Sequence, residues 1–224
     1  MTQSMQLGIR AGTIGLLCAI LAGCVTRVPS LRVFPHKAVQ PFSGNERVLV
    51  VSILPGRTAV ERSLFKESVI QEVRRVLGTP VLAIGADDDL SEYVTPANLI
   101  AYGDTINVDE VSRLGRVVGA SHVLCVLVRS SRTYHPQLMS TAWVLVESEK
   151  SSVILQMDAL FDAADQDTVR EMGRYLRARR ARSGDMPRLE QMLRSPREYG
   201  RFVASLCSRA LADSVYGGGR LKKR

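Results

Sequence analysis

Hydrophobic and polar positions divide the chain into stretches of two periods. Arg47 to Leu54 (RVLVVSIL) is a nearly continuous β-branched run, the pattern of a strand buried on both faces, and Pro55-Gly56 ends it. From about Thr58 to Leu77, residues Phe65, Val69, Val73, Val76 and Leu77 recur at three- and four-residue spacing. This predicts an amphipathic helix with Gly78 at its C-cap. A short strand from Pro80 to Ile84, an acidic turn from Gly85 to Asp89 and a short helix from Pro96 to Tyr102 follow. Val108, Val111, Leu114, Val117 and Val118 give Asn107–Val118 a helical inner side, closed by Gly119, and Val123–Val128 is the second fully apolar strand. Leu138–Glu147 and Ser152–Leu160 read as a meander about the turn Ser148–Ser151, with Val153, Leu155 and Met157 alternating onto one face. From Asp165 the chain turns helical: Val169–Arg182, a short Pro187–Leu193, then Pro196 to about Tyr216 with Pro196 at a favourable first position. Early strand–helix alternation implies parallel strands and the meander an antiparallel half. The fold class expected is α/β (α+β): a mixed, partly parallel five-stranded sheet with packed helices, followed by C-terminal helices.

The first 24 residues follow a different logic. A stretch bearing one positive charge, Arg10, leads into a small, apolar run from Ala11 to Gly23 that ends Leu21-Ala22-Gly23-Cys24. The run is shorter than the about 20 apolar residues needed to span a bilayer and fits the core of an export signal. The L-A-G-C pattern resembles the lipobox of bacterial lipoproteins. That resemblance implies cleavage before Cys24, thioether lipidation of its sulfur and acylation of the new amine. At about 0.8 kcal/mol per buried methylene, two or three acyl chains (palmitate among them) make an effectively permanent anchor. Val25 stands where an Asp signals inner-membrane retention in such lipoproteins, which favours the outer membrane. The organisation expected is thus a signal peptide over 1–23, a lipidated cysteine and Pro-punctuated tether over 24–46, and an α/β domain over 47–163. A helical extension packed on that domain follows over 164–216, then a basic disordered tail over 217–224.

Composition narrows the class. The 224 residues are 46% hydrophobic and 23% charged, which excludes a disordered chain and a polytopic membrane protein. A net charge of +8 makes an anionic surface a plausible partner. Of the four cysteines, Cys18 would leave with the signal; Cys125 and Cys207 lie in apolar patterns and read as small buried hydrophobes.

Constellations for chemistry are missing from the pattern. There is no G-x-S-x-G, P-loop or G-x-G-x-x-G. His122 and Cys125, three apart on a strand, point to opposite faces and share no metal. Asp87, Asp88, Asp89 and Glu92 lack the spacing and glycine of an EF-hand, and Asp162, Asp165 and Asp167 read as acids at a helix start. Trp143 reads as core. Neither catalytic residues, a metal nor a cofactor is assigned. One basic cluster stands out: Arg170, Arg174 and Arg177 share a helical face, with Arg179, Arg180 and Arg182 just beyond. In an exported protein such a cluster suits anionic lipid, lipopolysaccharide or an acidic protein rather than nucleic acid, each basic residue contributing about 1 kcal/mol near an anionic membrane. A solvated helix face explains the same residues.

The run V-D-E-V-S-R-L-G-R-V-V-G-A-S-H-V over 108–123 and the meander VLVESEKSSVILQMDALF carry a family resemblance. They resemble the exported domain shared by the amino-terminal part of TolB, the curli-secretion lipoprotein CsgG and the lipoprotein activators of penicillin-binding proteins. Leu114-Gly115 and Gly119-Ala120 match that group's "LG-x-x-x-GA", whereas Glu147–Val153 follows its "D-x-x-T-G-E-V" turn without the glycine. The resemblance covers about Arg47 to Ala163, and it implies a non-catalytic binding or scaffold component of envelope assembly, secretion or transport. The expected protein is anchored at the periplasmic face of the outer membrane through Cys24, beside an envelope protein partner. The alternative is an oligomeric subunit of a CsgG-like outer-membrane export channel, although no pair of long alternating segments supplies membrane-spanning hairpins.

Overall fold

The structure, a computed structural model, describes residues 31–36, 41–42, 44–53, 59–83, 99–101, 105–183 and 188–217. Cys24 with the signal segment, the acidic turn 85–89 and the tail after Gly217 lie outside them. The strands are β1 (Leu31–Pro35), β2 (Val48–Ile53), β3 (Val81–Ala83), β4 (Ile100–Ala101), β5 (Thr105–Ile106), β6 (His122–Arg132), β7 (Leu138–Glu147) and β8 (Ser152–Asp162). The helices are α1 (Ala59–Leu77), α2 (Val108–Val117), α3 (Gln166–Ser183), α4 (Leu189–Arg194) and α5 (Pro196–Tyr216).

The main sheet is mixed, in the order β1-β8-β7-β6-β2-β3. β2 runs parallel to both β3 and β6, and β6, β7, β8 and β1 are antiparallel neighbours. It has six strands, one more than the pattern of apolar runs predicts. The additional strand is β1, in a Pro-punctuated stretch expected to be irregular. Leu31 and Val33 pack against the core while Arg32 and Phe34 take the opposite face, so a period of two is present but short. Pro35 is tolerated because it closes an edge strand. A second departure concerns the end of the helix expected over 96–102: Leu99 is helical, but Ile100–Ala101 pairs antiparallel with Thr105–Ile106, and 96–98 and 102 lie outside the described residues. The buried Leu99 anchors this link and its carbonyl accepts the Asn107 N–H at 2.9 Å.

The two faces carry separate cores. On one, α1 and α5 pack over Val48, Val50, Leu124, Val126, Trp143, Leu155 and Met157. These helices run side by side in the same direction, with Phe65 next to Gly200 near their starts and the Tyr216 hydroxyl on the Leu77 carbonyl at their ends. Phe202 is ringed by Phe161, Tyr175 and Tyr199 at 5.4–5.9 Å between centroids. On the other face α2 buries Val111 and Leu114 against Leu49, Val123, Cys125, Val144 and Val146. Alternation along β8 is broken: the pairing steps from Val146↔Val153 to Leu145↔Leu155, leaving Ile154 as the extra residue of a bulge. Val153 therefore packs with the α2 core, and Leu155 and Met157 with the other, although all three share one parity.

The "LG-x-x-x-GA" run has a packing explanation. A Cβ on Gly115 would lie 2.1 Å from the Ser148 Oγ and 2.7 Å from a Val123 methyl, so only glycine lets α2 lie this close to the sheet. Gly119 adopts φ +67°, the left-handed turn that ends the helix, and the Ala120 N–H returns to the Gly115 carbonyl at 2.8 Å.

Candidate interaction surface

α3 begins at a built N-terminus. The Asp165 carboxylate accepts from the Thr168 N–H at 3.1 Å and its hydroxyl at 3.2 Å, and the Thr168 N–H bond holds that carboxyl below the usual carboxylate range. Asp162 accepts from the Ala164 N–H at 2.9 Å, and Asp167 pairs with Arg170. These three acids stabilise a turn and a helix start, in line with their sequence reading.

The structure divides the arginine cluster rather than presenting it as one stripe. Arg170, Arg174, Arg177 and Arg180 are exposed. Arg170 is paired with Asp167 at 2.8 Å and Arg174 with Glu171, each one turn earlier in the helix. Arg177 and Arg180 make no ion pair among the described residues. Arg179 lies on the opposite side of the helix, where its guanidinium donates to Glu198 of α5 at 2.7 Å and lies 3.5 Å from the Tyr175 hydroxyl. Glu198 also receives Arg201 at 2.6 Å, so Arg179 joins two helices through a shared, half-buried carboxylate. The Arg182 side chain lies outside the described residues. Two full positive charges, at Arg177 and Arg180, therefore remain for an external anion, beside two that are partly neutralised.

The surface that the sequence pattern does not single out lies on the face of the sheet opposite α1 and α5. α2 covers that face over β6, β7 and the start of β8 but leaves β1 and the later part of β8 open. Phe34 is 44% exposed and Leu160 is 50% exposed there. They line a groove of about 500 Å³ with Arg32, Arg129 and Asp158, and Asp167 stands at its α3 end. Arg129 pairs with Asp158 at 2.9 Å across it. The sequence holds one clue: Arg32-Val33-Phe34 alternates as Gln156–Leu160 does, and register brings Arg32 opposite Asp158 and Phe34 opposite Gln156.

The cysteines and histidine are structural. Cys125 and Cys207 are fully buried free thiols, each pushed up to about 12 by burial, and they lie in the two different cores, on opposite sides of the sheet. His122 shares the face of Leu124, packs on Phe42 at 4.8 Å and contacts the Ser121 Oγ at 3.0 Å. Burial lowers its pKa despite the nearby Glu147 and Glu46. No group of three or more metal-ligating side chains occurs among the described residues. None of their helices is long and apolar enough to cross a membrane.

No protein-family model matches the chain, and no curated protein matches it by sequence. Solved structures resemble it in part. PelC from Paraburkholderia phytofirmans, crystallised as a dodecamer, is 11% identical with a TM-score of 0.42, over 62% of this chain and 86% of that one. The lipoprotein GNA1162 from Neisseria meningitidis is 12% identical with a TM-score of 0.39, over 61% of this chain and 97% of that one. TolB from Acinetobacter baumannii is 11% identical with a TM-score of 0.32, over 70% of this chain and 32% of that one. At these values the likeness assigns neither an activity nor a partner to this chain.

Proposed function

We propose that this protein is a lipoprotein held at the periplasmic face of the outer membrane by an acylated Cys24. Its role is that of a non-catalytic binding or scaffold component in envelope assembly, secretion or transport. The observation that supports this most is the position of β1. Its first residue, Leu31, follows Cys24 by seven positions, and it is already paired with Ala159 in the main sheet. A fully extended chain spans at most about 3.5 Å per residue, so the anchor and the β1 edge lie within about 25 Å of each other. An anchored domain is then pressed close to the membrane, its β1–β8 groove and edge strand presented there at high effective concentration to a partner.

The test is direct. Cys24→Ala should abolish labelling by a fatty-acid probe and release the protein from membranes. Persistent labelling and membrane retention of that variant would remove the basis of the proposal. Native mass after gentle detergent extraction, with identification of co-extracted proteins, separates a tethered adaptor from a homo-oligomeric ring.

A further inference from the structure

A second cleft lies at the far end of the sheet, where α1, the start of α5 and the β6–β7 connection meet. Its walls are apolar: Leu64 and Phe65 from α1, Val128 from β6 and Met139 from β7. Two buried polar side chains line it as well, Gln137 and Tyr199, only 1% and 2% exposed, together with the more exposed Arg132, Thr133 and Arg197. Among the described residues the Gln137 amide nitrogen, the Gln137 amide oxygen and the Tyr199 hydroxyl all lack a hydrogen-bond partner. Folded proteins satisfy nearly all such atoms, because leaving each one unpaired costs about 1–3 kcal/mol. The two residues that carry these three atoms both line one cleft, which points to a ligand.

The backbone that carries them is fixed. The Gln137 carbonyl accepts the Ala163 N–H at 2.7 Å, and Arg132 Nε donates to the Pro136 carbonyl at 2.6 Å. Behind Tyr199, a Cβ on Gly200 would stand 3.3 Å from Phe65, so α5 closes tightly on α1. Burial raises the Tyr199 pKa, and the nearby Asp162 adds to the effect, so the hydroxyl keeps its proton and donates.

We propose that this cleft binds a carboxamide bearing a short, branched apolar group, its head held by the Gln137 amide and the Tyr199 hydroxyl. A glutamine amide presents a donor and an acceptor side by side, and its complement is another amide, giving an N–H to Oε1 and taking Nε2–H on its carbonyl. A carboxylate would set oxygen against Oε1. Two arginines line the cleft: Arg132 is already bonded to Pro136 and lies 3.4 Å from Asp162, and Arg197 is exposed to solvent. The apolar walls take the hydrocarbon. Space for atom centres is about 50 Å³, which limits the occupant to a handful of heavy atoms. Such a group is supplied either by a free small amide or by the side chain of a partner's glutamine.

The experiment titrates the detergent-solubilised full chain with isovaleramide, its methyl ketone isostere and isovalerate. It follows the Gln137 side-chain NH₂ and Met139 methyl resonances. Isovaleramide should give saturable shifts at both, with Kd of about 1 mM, as the ceiling on affinity per atom allows. The ketone and the acid should bind about tenfold more weakly, since each leaves a buried polar atom unpaired. Gln137→Leu and Tyr199→Phe should each weaken the amide by a similar factor. N-acetylglutamine methylamide, tested alongside, binds if the source is a partner's side chain and fails to bind if it is a free amide. Absence of saturable shifts, equal binding of amide and ketone, or tighter binding of isovalerate overturns the proposal. The comparison of amide with ketone uses the wild-type chain alone and decides the question even if a variant fails to fold.

Discussion

Gly115 and Gly173 each sit inside a helix, in α2 and α3, and replacing either by alanine should move stability in opposite directions. Helix propensity favours alanine over glycine by about 1 kcal/mol at both sites. At Gly173 the nearest atom to a new Cβ is Arg177 Nη1 at 3.6 Å, an ordinary contact, so Gly173→Ala should stabilise by up to about 1 kcal/mol. At Gly115 the new methyl meets the Ser148 Oγ at 2.1 Å, the Val123 methyl at 2.7 Å and the Ser148 Cβ at 2.9 Å. Ser148 has nowhere to retreat. Its N–H is bonded to the Ser121 carbonyl at 2.9 Å and its own carbonyl to Arg116 at 2.6 Å. Forcing a methyl into such a contact costs about 3 kcal/mol at the upper end of overpacking, so about 2 kcal/mol of destabilisation remains after the propensity gain. For a chain of this size that is a fall in Tm of about 4–8 °C. The assay is urea unfolding read by the fluorescence of Trp143, the only tryptophan in the chain and fully buried, with an unchanged m-value as the check on comparable end states. A Gly115→Ala protein as stable as wild type would refute the close-approach argument. The Gly173 variant shows whether the propensity term was judged correctly.

Other outcomes follow from the same geometry. His122 has a native pKa below its ordinary 6.5, so the unfolded chain binds the extra proton first. Its contribution to stability is whole above pH 6.5 and declines as pH falls from there toward the native pKa; His122→Phe, which keeps a ring against Phe42, should remove that part of the pH dependence in denaturant melts. Changing Arg174, Arg177 and Arg180 to serine should weaken binding to anionic vesicles, most at low salt, because Arg177 and Arg180 lack ion pairs among the described residues. Unchanged vesicle sedimentation would show that α3 is simply a solvated face.

Elements whose signals are local were legible along the chain. Asn107 and Gly119 bracket α2, and α5 runs from Pro196 to Tyr216 as its first-turn proline and following Gly217 indicate; the Ser195 Oγ accepts from Glu198 and Gly217 turns at φ +62°. The apolar runs of β2 and β6 predicted burial on both faces, because helices cover both sides of a strand joined by crossovers. The burial of Trp143, Cys125 and Cys207 followed from their apolar neighbours. Tertiary contacts decided the rest. β1 is a strand only because β8 offers an edge to pair with, and five residues flanked by prolines carry too little periodicity to announce it. The bulge at Ile154 shifts register without altering composition, so Val153 and Leu155 part company invisibly. The six arginines read as one basic cluster, three of them on a shared face, until the helix docks. Packing then turns Arg179 inward to Glu198, while neighbours one turn away partly neutralise Arg170 and Arg174. Gln137 and Tyr199 stand 62 positions apart in sequence and line one cleft because a β connection and a helix start meet across the end of the sheet. Sequence determined the elements through short-range sterics and hydrophobic period; the groove and cleft at the protein's surface were decided by which elements came to lie side by side.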